Sequence, residues 1–251
     1  MAGRLEGKVA FLSGATSGIG KATAEMFAAE GARVALTGRR AAEGEALAHA
    51  VVEAGGEVLF VQMDVSDPDA VERAVAATVQ RFGRLDIVFS NAGGSSAADG
   101  PVTTASLDEF HRVIQVDLFG TFLCSRFAIP HLVRAGGGSV VNMTSVVGFG
   151  GTQGRDAYSA AKGAVMTLTR STAREYVGHR VRVNAIAPAM VGTERIARLL
   201  EVVPNADAFV AAQPLGVIDP REIGHAAVYL ASDESRCLTG QVISINGGAF
   251  G

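Results

Sequence analysis

The stretch Val9-Ala10-Phe11-Leu12-Ser13-Gly14-Ala15-Thr16-Ser17-Gly18-Ile19-Gly20 decides how this chain is read. Its first five residues are apolar or small and read as a buried strand. Three glycines follow in the spacing GxxxGxG. Ile19, Ala22, Thr23, Met26 and Phe27 then recur at i, i+3, i+4, i+7 and i+8, the buried stripe of a helix. Glycines at a strand-to-helix turn let the backbone bend sharply. The free N–H groups and the dipole at the helix start attract an anion such as a pyrophosphate. Taken alone, such a turn can also be purely structural, so the rest of the chain must decide.

The alternation continues almost to the end. Residues 9–13, 33–37, 58–63, 87–90, 139–143, 181–186 and 242–245 read as strands, apolar nearly throughout instead of alternating. That pattern belongs to a parallel sheet covered on both faces. Gly31 falls where the first helix needs a left-handed terminator, and Ser66-Asp67-Pro68 supplies a cap and first turn for a crossover helix. Residues 107–134 and 158–178 are long enough for two central helices. No composition break interrupts the run, so residues 1–251 are expected to form a single α/β domain, a three-layer doubly wound sheet. Only 195–216 resists assignment; it reads as a substrate lid between the last two strands.

The 251 residues are 48% hydrophobic with 31 glycines, which implies a large core and many tight turns. A formal charge of −3 gives no reason to expect nucleic acid as a partner. No uninterrupted apolar stretch of about 18 residues suggests a membrane span, and residues 1–8 lack the apolar core of a signal peptide. Cys124 and Cys237 read as buried free thiols in a reducing compartment, so a soluble cytoplasmic protein is expected.

Tyr158-Ser159-Ala160-Ala161-Lys162 puts a phenol and an ammonium four residues apart, thirteen residues after Ser145. On a helix, i and i+4 share a face. Tyrosine ordinarily titrates near pH 10; a unit charge about 5 Å away at an effective dielectric of roughly 20 is worth on the order of 3 kcal/mol, or about two pKa units. That would make Tyr158 a working acid/base. YxxxK by itself also occurs in many ordinary helices.

The combination is specific. The glycine loop, Asn91-Ala92-Gly93 after the fourth strand, Ser145, and Tyr158 with Lys162 together resemble the short-chain dehydrogenase/reductase family, from about Leu5 to Gly248. The resemblance implies a seven-stranded Rossmann-like fold and hydride transfer between a nicotinamide cofactor and a ketone or secondary alcohol. By that resemblance Gly14, Gly18 and Gly20, with Ser17 and Ile19, carry the cofactor phosphates. Asp64 and Val65 meet the adenine, and Asn91, Ala92 and Gly93 pass beneath the nicotinamide-side ribose. Pro188, Val191 and Thr193 grip the carboxamide. Tyr158 exchanges the proton, Ser145 orients the substrate oxygen, and Lys162 also holds ribose hydroxyls.

Two positions depart from the family pattern. Asp117 stands where an asparagine usually positions a water that links the lysine to solvent. Aspartate keeps an acceptor but loses the amide donor. The relay is expected to survive through the backbone carbonyl; the alternative is an anionic Asp117 paired with Lys162. Ala189 replaces a common glycine and needs only an ordinary backbone angle.

The second strand ends in Thr37-Gly38-Arg39-Arg40, without the carboxylate that NAD-preferring relatives place there. Arg39 can stack on adenine and pair with a 2′-phosphate, which favours NADP(H) over NAD(H). No metal site is expected. Ser95, Val147, Gln153 and Met190 are candidate substrate contacts, with Phe149 and Arg155 beside them. A free small-molecule ketone or alcohol is the favoured substrate. A 3-oxoacyl thioester on acyl carrier protein is the alternative, with Arg126, Arg134, Arg170 and Arg174 as candidate carrier contacts. A rival of another class is a sensor or scaffold that has lost catalysis. The resemblance also implies a homotetramer built through the long helices, with Phe119, Phe122, Phe127, Val165 and Leu168 as candidate contacts.

Overall fold

The computed structural model describes residues 3–201 and 210–249. Seven parallel strands form one sheet in the order β3-β2-β1-β4-β5-β6-β7. They are β1 Val9–Ser13, β2 Arg33–Gly38, β3 Val58–Gln62, β4 Ile87–Ser90, β5 Gly138–Met143, β6 Val181–Pro188 and β7 Val242–Ile245. The order reverses between β1 and β4, which pair from Ala10 with Ile87 to Ser13 with Ser90. A doubly wound sheet opens its ligand crevice at such a reversal, beyond the C-terminal strand ends.

Successive β1 side chains enter opposite cores, which explains why the strand is apolar throughout. Ala10 and Leu12 pack with α1 (Gly18–Ala29), α2 (Ala41–Glu53) and a helix at Pro220–Ala231. Val9 and Phe11 face α3 (Pro68–Phe82) and the helix Gly120–Arg134. Phe27 and Phe89, both wholly buried, tilt against each other with centroids 6.3 Å apart. Removing either ring would cost about 3–5 kcal/mol.

The terminators behave as their chemistry requires. Asp67 caps α3 by accepting from the N–H groups of Asp69 and Ala70 at 3.0 and 3.3 Å; Pro68 opens the helix, and Gly83 closes it at φ 81°. Gly31, at φ 88°, follows α1. Ala189 has no positive φ; among the described residues Arg180 is the only non-glycine that does.

The expected helix over 107–134 is broken in hydrogen-bond pattern. It runs as α4 (Leu107–Val113), a π-turn (Ile114–Phe119) and α5 (Gly120–Arg134). Length and composition would let Leu107–Arg134 cross a membrane, but half of its most apolar window is buried inside the fold. The short α6 (Val147–Gly150) precedes α7, which spans Asp156–Tyr176, so Tyr158 is its third residue and not its first. Of the expected lid, α8 (Glu194–Leu200) is described, and 202–209 lie outside the described residues. The helix Pro220–Ala231 is α9.

Two further expectations are corrected. Cys124 is buried but Cys237 is exposed, on the turn that precedes β7. Val165 is wholly buried within its own chain, so it is unavailable as a subunit contact.

Candidate functional site

The glycine turn is shaped by close approach of neighbouring backbone and of the Asn91 and Thr193 side chains. A methyl group on Gly14, at φ 64°, would sit 2.7 Å from Ala92 Cα, and one on Gly20 would sit 2.6 Å from Asn91 Nδ2. Asn91 Nδ2 donates to the Gly14 carbonyl at 2.8 Å, and Ser13 Oγ accepts from Asn91 N at 3.1 Å. Asn91 therefore ties the ends of β1 and β4 together. Ser17 is exposed at the start of α1, its side chain caps no N–H, and the first turn carries no acid. The positive end of that helix is thus left for an outside anion. Ile19, half-buried, packs on the adjoining core. Thr193 closes the turn from the other side, with Cγ2 3.0 Å from where a Gly18 Cβ would stand. These residues fit a pyrophosphate-bearing cofactor.

At the far end of β2, Arg39 is exposed and close enough to Asp64 to favour its ionised form. Burial pushes the Asp64 carboxyl up, but bonds from Ser66 and the Arg39 charge outweigh this and hold it below the usual range. Asp64 Oδ1 accepts from Ser66 N at 2.9 Å and Ser66 Oγ at 2.7 Å, which leaves its second oxygen open. Val65 is core, packed on Gly120. Arg40, absent from the sequence expectation, donates to Thr16 Oγ1 at 3.1 Å and so reaches back to the glycine turn. The doubled arginine was its only local signal.

Beyond β4 and β5 the charged centre is built. Lys162 Nζ lies 2.9 Å from Asp117 Oδ1 and donates to the Met143 carbonyl at 3.0 Å. Gly94 N donates to both Asp117 oxygens, at 2.9 and 3.1 Å. Burial alone would lower the Lys162 pKa, but the charges of Asp117 and Tyr158 outweigh it and the value is raised. Of the two readings of Asp117, the ion pair is the one observed: Lys162 is held by a direct carboxylate contact, and the Asp117 backbone carbonyl accepts from Thr121 Oγ1 at 2.8 Å. The π-turn carries Asp117, and such turns often mark functional positions.

Lys162 Nζ lies 5.5 Å from the Tyr158 ring centroid, so i and i+4 share a face as the spacing predicts. Asp99 accepts from Tyr158 N at 3.0 Å and Ala157 N at 3.3 Å, which supplies the cap that Arg155 does not. Ser145 lies just past the end of β5. Its hydroxyl has only long contacts, 3.4 Å to the Pro188 carbonyl and 3.5 Å from Val147 N, so it is free to turn to another oxygen. Thr144 Oγ1, bonded to the Lys162 carbonyl at 2.7 Å, locks β5 onto α7. Val191 is buried and bridges Ile218, while Met190 has both backbone groups held by buried Gln213.

Four side chains hold the segment after Gly93, and of them the sequence singles out only Arg155 as a contact. Arg195 Nη1 donates to the Gly93 carbonyl at 3.1 Å, and Arg155 Nη1 donates to Ser95 Oγ. Arg112 Nη2 donates to the Gly94 carbonyl at 2.8 Å, and Glu109 Oε1 accepts from Ser96 N at 3.0 Å. The Arg112 bond pulls the Glu109 carboxyl down to about 2. Their partners are distant in sequence, so no local motif announces them. Gln153 is exposed, and Val147 is half-buried at the start of α6.

Residues 14–249 match a family model described as enoyl-(acyl carrier protein) reductase. The chain is 38% identical over 242 residues to cis-4-hydroxycyclohexanecarboxylate dehydrogenase of Sinomonas cyclohexanicum, covering 96% of both chains. It is 37% identical over 247 residues to a 3-oxoacyl-(acyl-carrier-protein) reductase of Thermotoga maritima, covering 98% of both. Among solved structures it superposes with TM-score 0.93 on a short-chain type dehydrogenase/reductase from Mycobacterium ulcerans. That match has 30% identity and covers 98% of this chain and 90% of that one.

Proposed function

This chain belongs to the short-chain dehydrogenase/reductase family and is an NAD(P)-dependent oxidoreductase of ketones and secondary alcohols; we propose that Tyr158 is its acid/base and NADP(H) its preferred cofactor. One arrangement carries the proposal: Tyr158 and Lys162 on one face of α7, with Nζ 5.5 Å from the ring centroid, beside the Gly93 turn. A bound nicotinamide would supply or take the hydride. In reduction the Tyr158 phenol gives its proton to the carbonyl oxygen; in oxidation the phenolate takes it from the alcohol. Ser145 steadies that oxygen with its weakly engaged hydroxyl. Lys162 favours the phenolate. Asp117 holds the lysine ionised and in place, at the cost of offsetting part of its field.

NADP(H) is supported by exposed Arg39 and by Arg40 on Thr16, with no carboxylate at the end of β2. A 2′-phosphate suits guanidinium donors better than a free ribose does. Asp64, with one oxygen free of Ser66, is suited to accept from an adenine amine. Ser95, Val147 and Met190 are offered as substrate contacts; exposed Gln153 has less support.

A homotetramer is supported by Phe122, 42% exposed and stacked on Phe119 at 6.4 Å along α5. The one-domain reading rests on a single sheet containing all seven strands. Unpaired Cys124 and Cys237 suit a reducing, cytoplasmic compartment.

The test is a panel of ketones, 3-oxoacyl thioesters and secondary alcohols, followed at the reduced-nicotinamide absorbance with each cofactor. NADPH-dependent loss of absorbance with ketones supports the reading, and no change with any pair rejects it.

A further inference from the structure

The segment 93–99 runs from the Lys162–Asp117 pair to the start of α7, where Asp99 accepts from Tyr158 N. It therefore walls the space in which the reacting carbonyl must lie. Two arginines arrive on this wall from different elements. Arg195, at the start of α8, is bonded to the Gly93 carbonyl, and Arg155, before α7, to Ser95 Oγ. Their anchors are two residues apart, hence within about 7 Å of each other.

The other ionisable groups around the wall already have partners. Lys162 is paired with Asp117 and Arg112 with Glu109. Asp99 is engaged by the N–H groups of Gly100, Ala157 and Tyr158, and Asp156 accepts from Val102 N. Neither Arg155 nor Arg195 has a carboxylate within 4 Å among the described residues. Each uses one N–H donor on the loop. A guanidinium has five such donors in a planar fork that matches a carboxylate. Both guanidiniums thus reach this loop with most of their donors unspent.

We infer that Arg155 and Arg195 select substrates bearing a carboxylate, so that the substrate class is oxo acids and hydroxy acids in place of neutral ketones. The inference rests on the oxidoreductase reading above. An acid clamped at the wall fixes which end of the molecule enters the crevice and how far its carbonyl reaches toward Tyr158. The same donors could take the phosphate of a phosphopantetheine thioester; the test separates the two.

Matched pairs differing only in charge supply the test: 4-oxopentanoate and 4-acetylbenzoate, each against its carboxamide, and acetoacetyl-pantetheine with and without its 4′-phosphate. The expected result is at least a tenfold higher kcat/KM for both carboxylates than for their amides. That ratio should collapse toward one in Arg155→Gln or Arg195→Gln and be partly kept in Arg195→Lys. The readout is a ratio, so a general loss of activity in a variant does not obscure it. Equal use of acids and amides by the wild type, or a ratio unmoved in both glutamine variants, overturns the inference while leaving ketone reduction standing. Preference confined to the 4′-phosphate pair overturns it in favour of the thioester. If no compound is turned over, the oxidoreductase reading fails, and calorimetric binding of the same pairs decides the anion question alone.

Discussion

Lys162 and Asp117 form an ion pair 2.9 Å long in which both side chains are almost wholly buried. Taking two charges out of water is expensive, and removing one member strands the other. Asp117→Ala should cost about 3–5 kcal/mol in denaturant unfolding. Lys162→Met should cost a similar amount, because it leaves the buried carboxylate with the single N–H of Gly94, as Asp117→Ala leaves the ammonium with the Met143 carbonyl. Equal stability of Asp117→Ala and the wild type would show that the pair carries no structural weight.

The same pair sets the field at the phenol. Lys162 titrates above its ordinary value because Asp117 and Tyr158 outweigh the effect of burial. Asp117→Asn removes the negative member, so more of the lysine field reaches Tyr158. The acidic, ascending limb of alcohol oxidation should move to lower pH by on the order of one unit. A profile unmoved or moved upward would contradict this.

Loss of the phenolic hydroxyl should be the most severe change at the site. Tyr158→Phe should lower kcat by about 10²–10⁴, the range of a general acid/base, while NADPH binding by fluorescence changes little. A variant retaining a tenth of wild-type turnover would remove Tyr158 from the reaction.

Glu109, which holds Ser96 on the wall segment, gives a pH signature in stability. Its pKa is pulled from 4.5 to about 2, chiefly by the Arg112 hydrogen bond, against the opposing effect of burial. A carboxyl depressed on folding stabilises the native state above its unfolded pKa, and the contribution fades as pH falls toward the folded value. Glu109→Gln should therefore cost about 1–3 kcal/mol at pH 7, discounted because Arg112 is partly in solvent. The gap to wild type should narrow from about pH 4.5 downward. A gap independent of pH would refute the assignment.

Glycine substitutions separate local strain from steric exclusion. Gly7, at φ 73°, has nothing within 4 Å of the place a methyl group would take, so Gly7→Ala should cost only about 1 kcal/mol. Gly14, at φ 64°, meets the Ala92 backbone at 2.7 Å, so Gly14→Ala should cost clearly more and abolish cofactor binding. Equal melting shifts for the two would mean that the turn can open.

Reading the residues in order recovers what local chemistry determines. The apolar runs give β1 and β4 with matching bounds, because a strand buried on both faces needs no partner information to be recognised; β7 is matched too, although it is only half-buried. Asp67-Pro68 marks the start of α3 because its cap and first turn are local. Contacts between distant residues are what the reading lacks. The start of α7 is capped by Asp99 from another loop, so it begins two residues before Tyr158. Arg195, on α8, finds the Gly93 carbonyl 102 positions earlier. The face that Val165 turns inward depends on which helices surround α7, and a periodicity cannot reveal that.

The π-turn at Ile114–Phe119 means that the path from Leu107 to Arg134 holds one more residue than a uniform α-helix of that length would need. A single deletion there would let the winding become regular and leave α4 and α5 in phase with each other. Only the bulged positions would turn, and Asp117 would swing away from the lysine. Shortening this helix by one position would thus keep the packing beneath it and lose the charged centre.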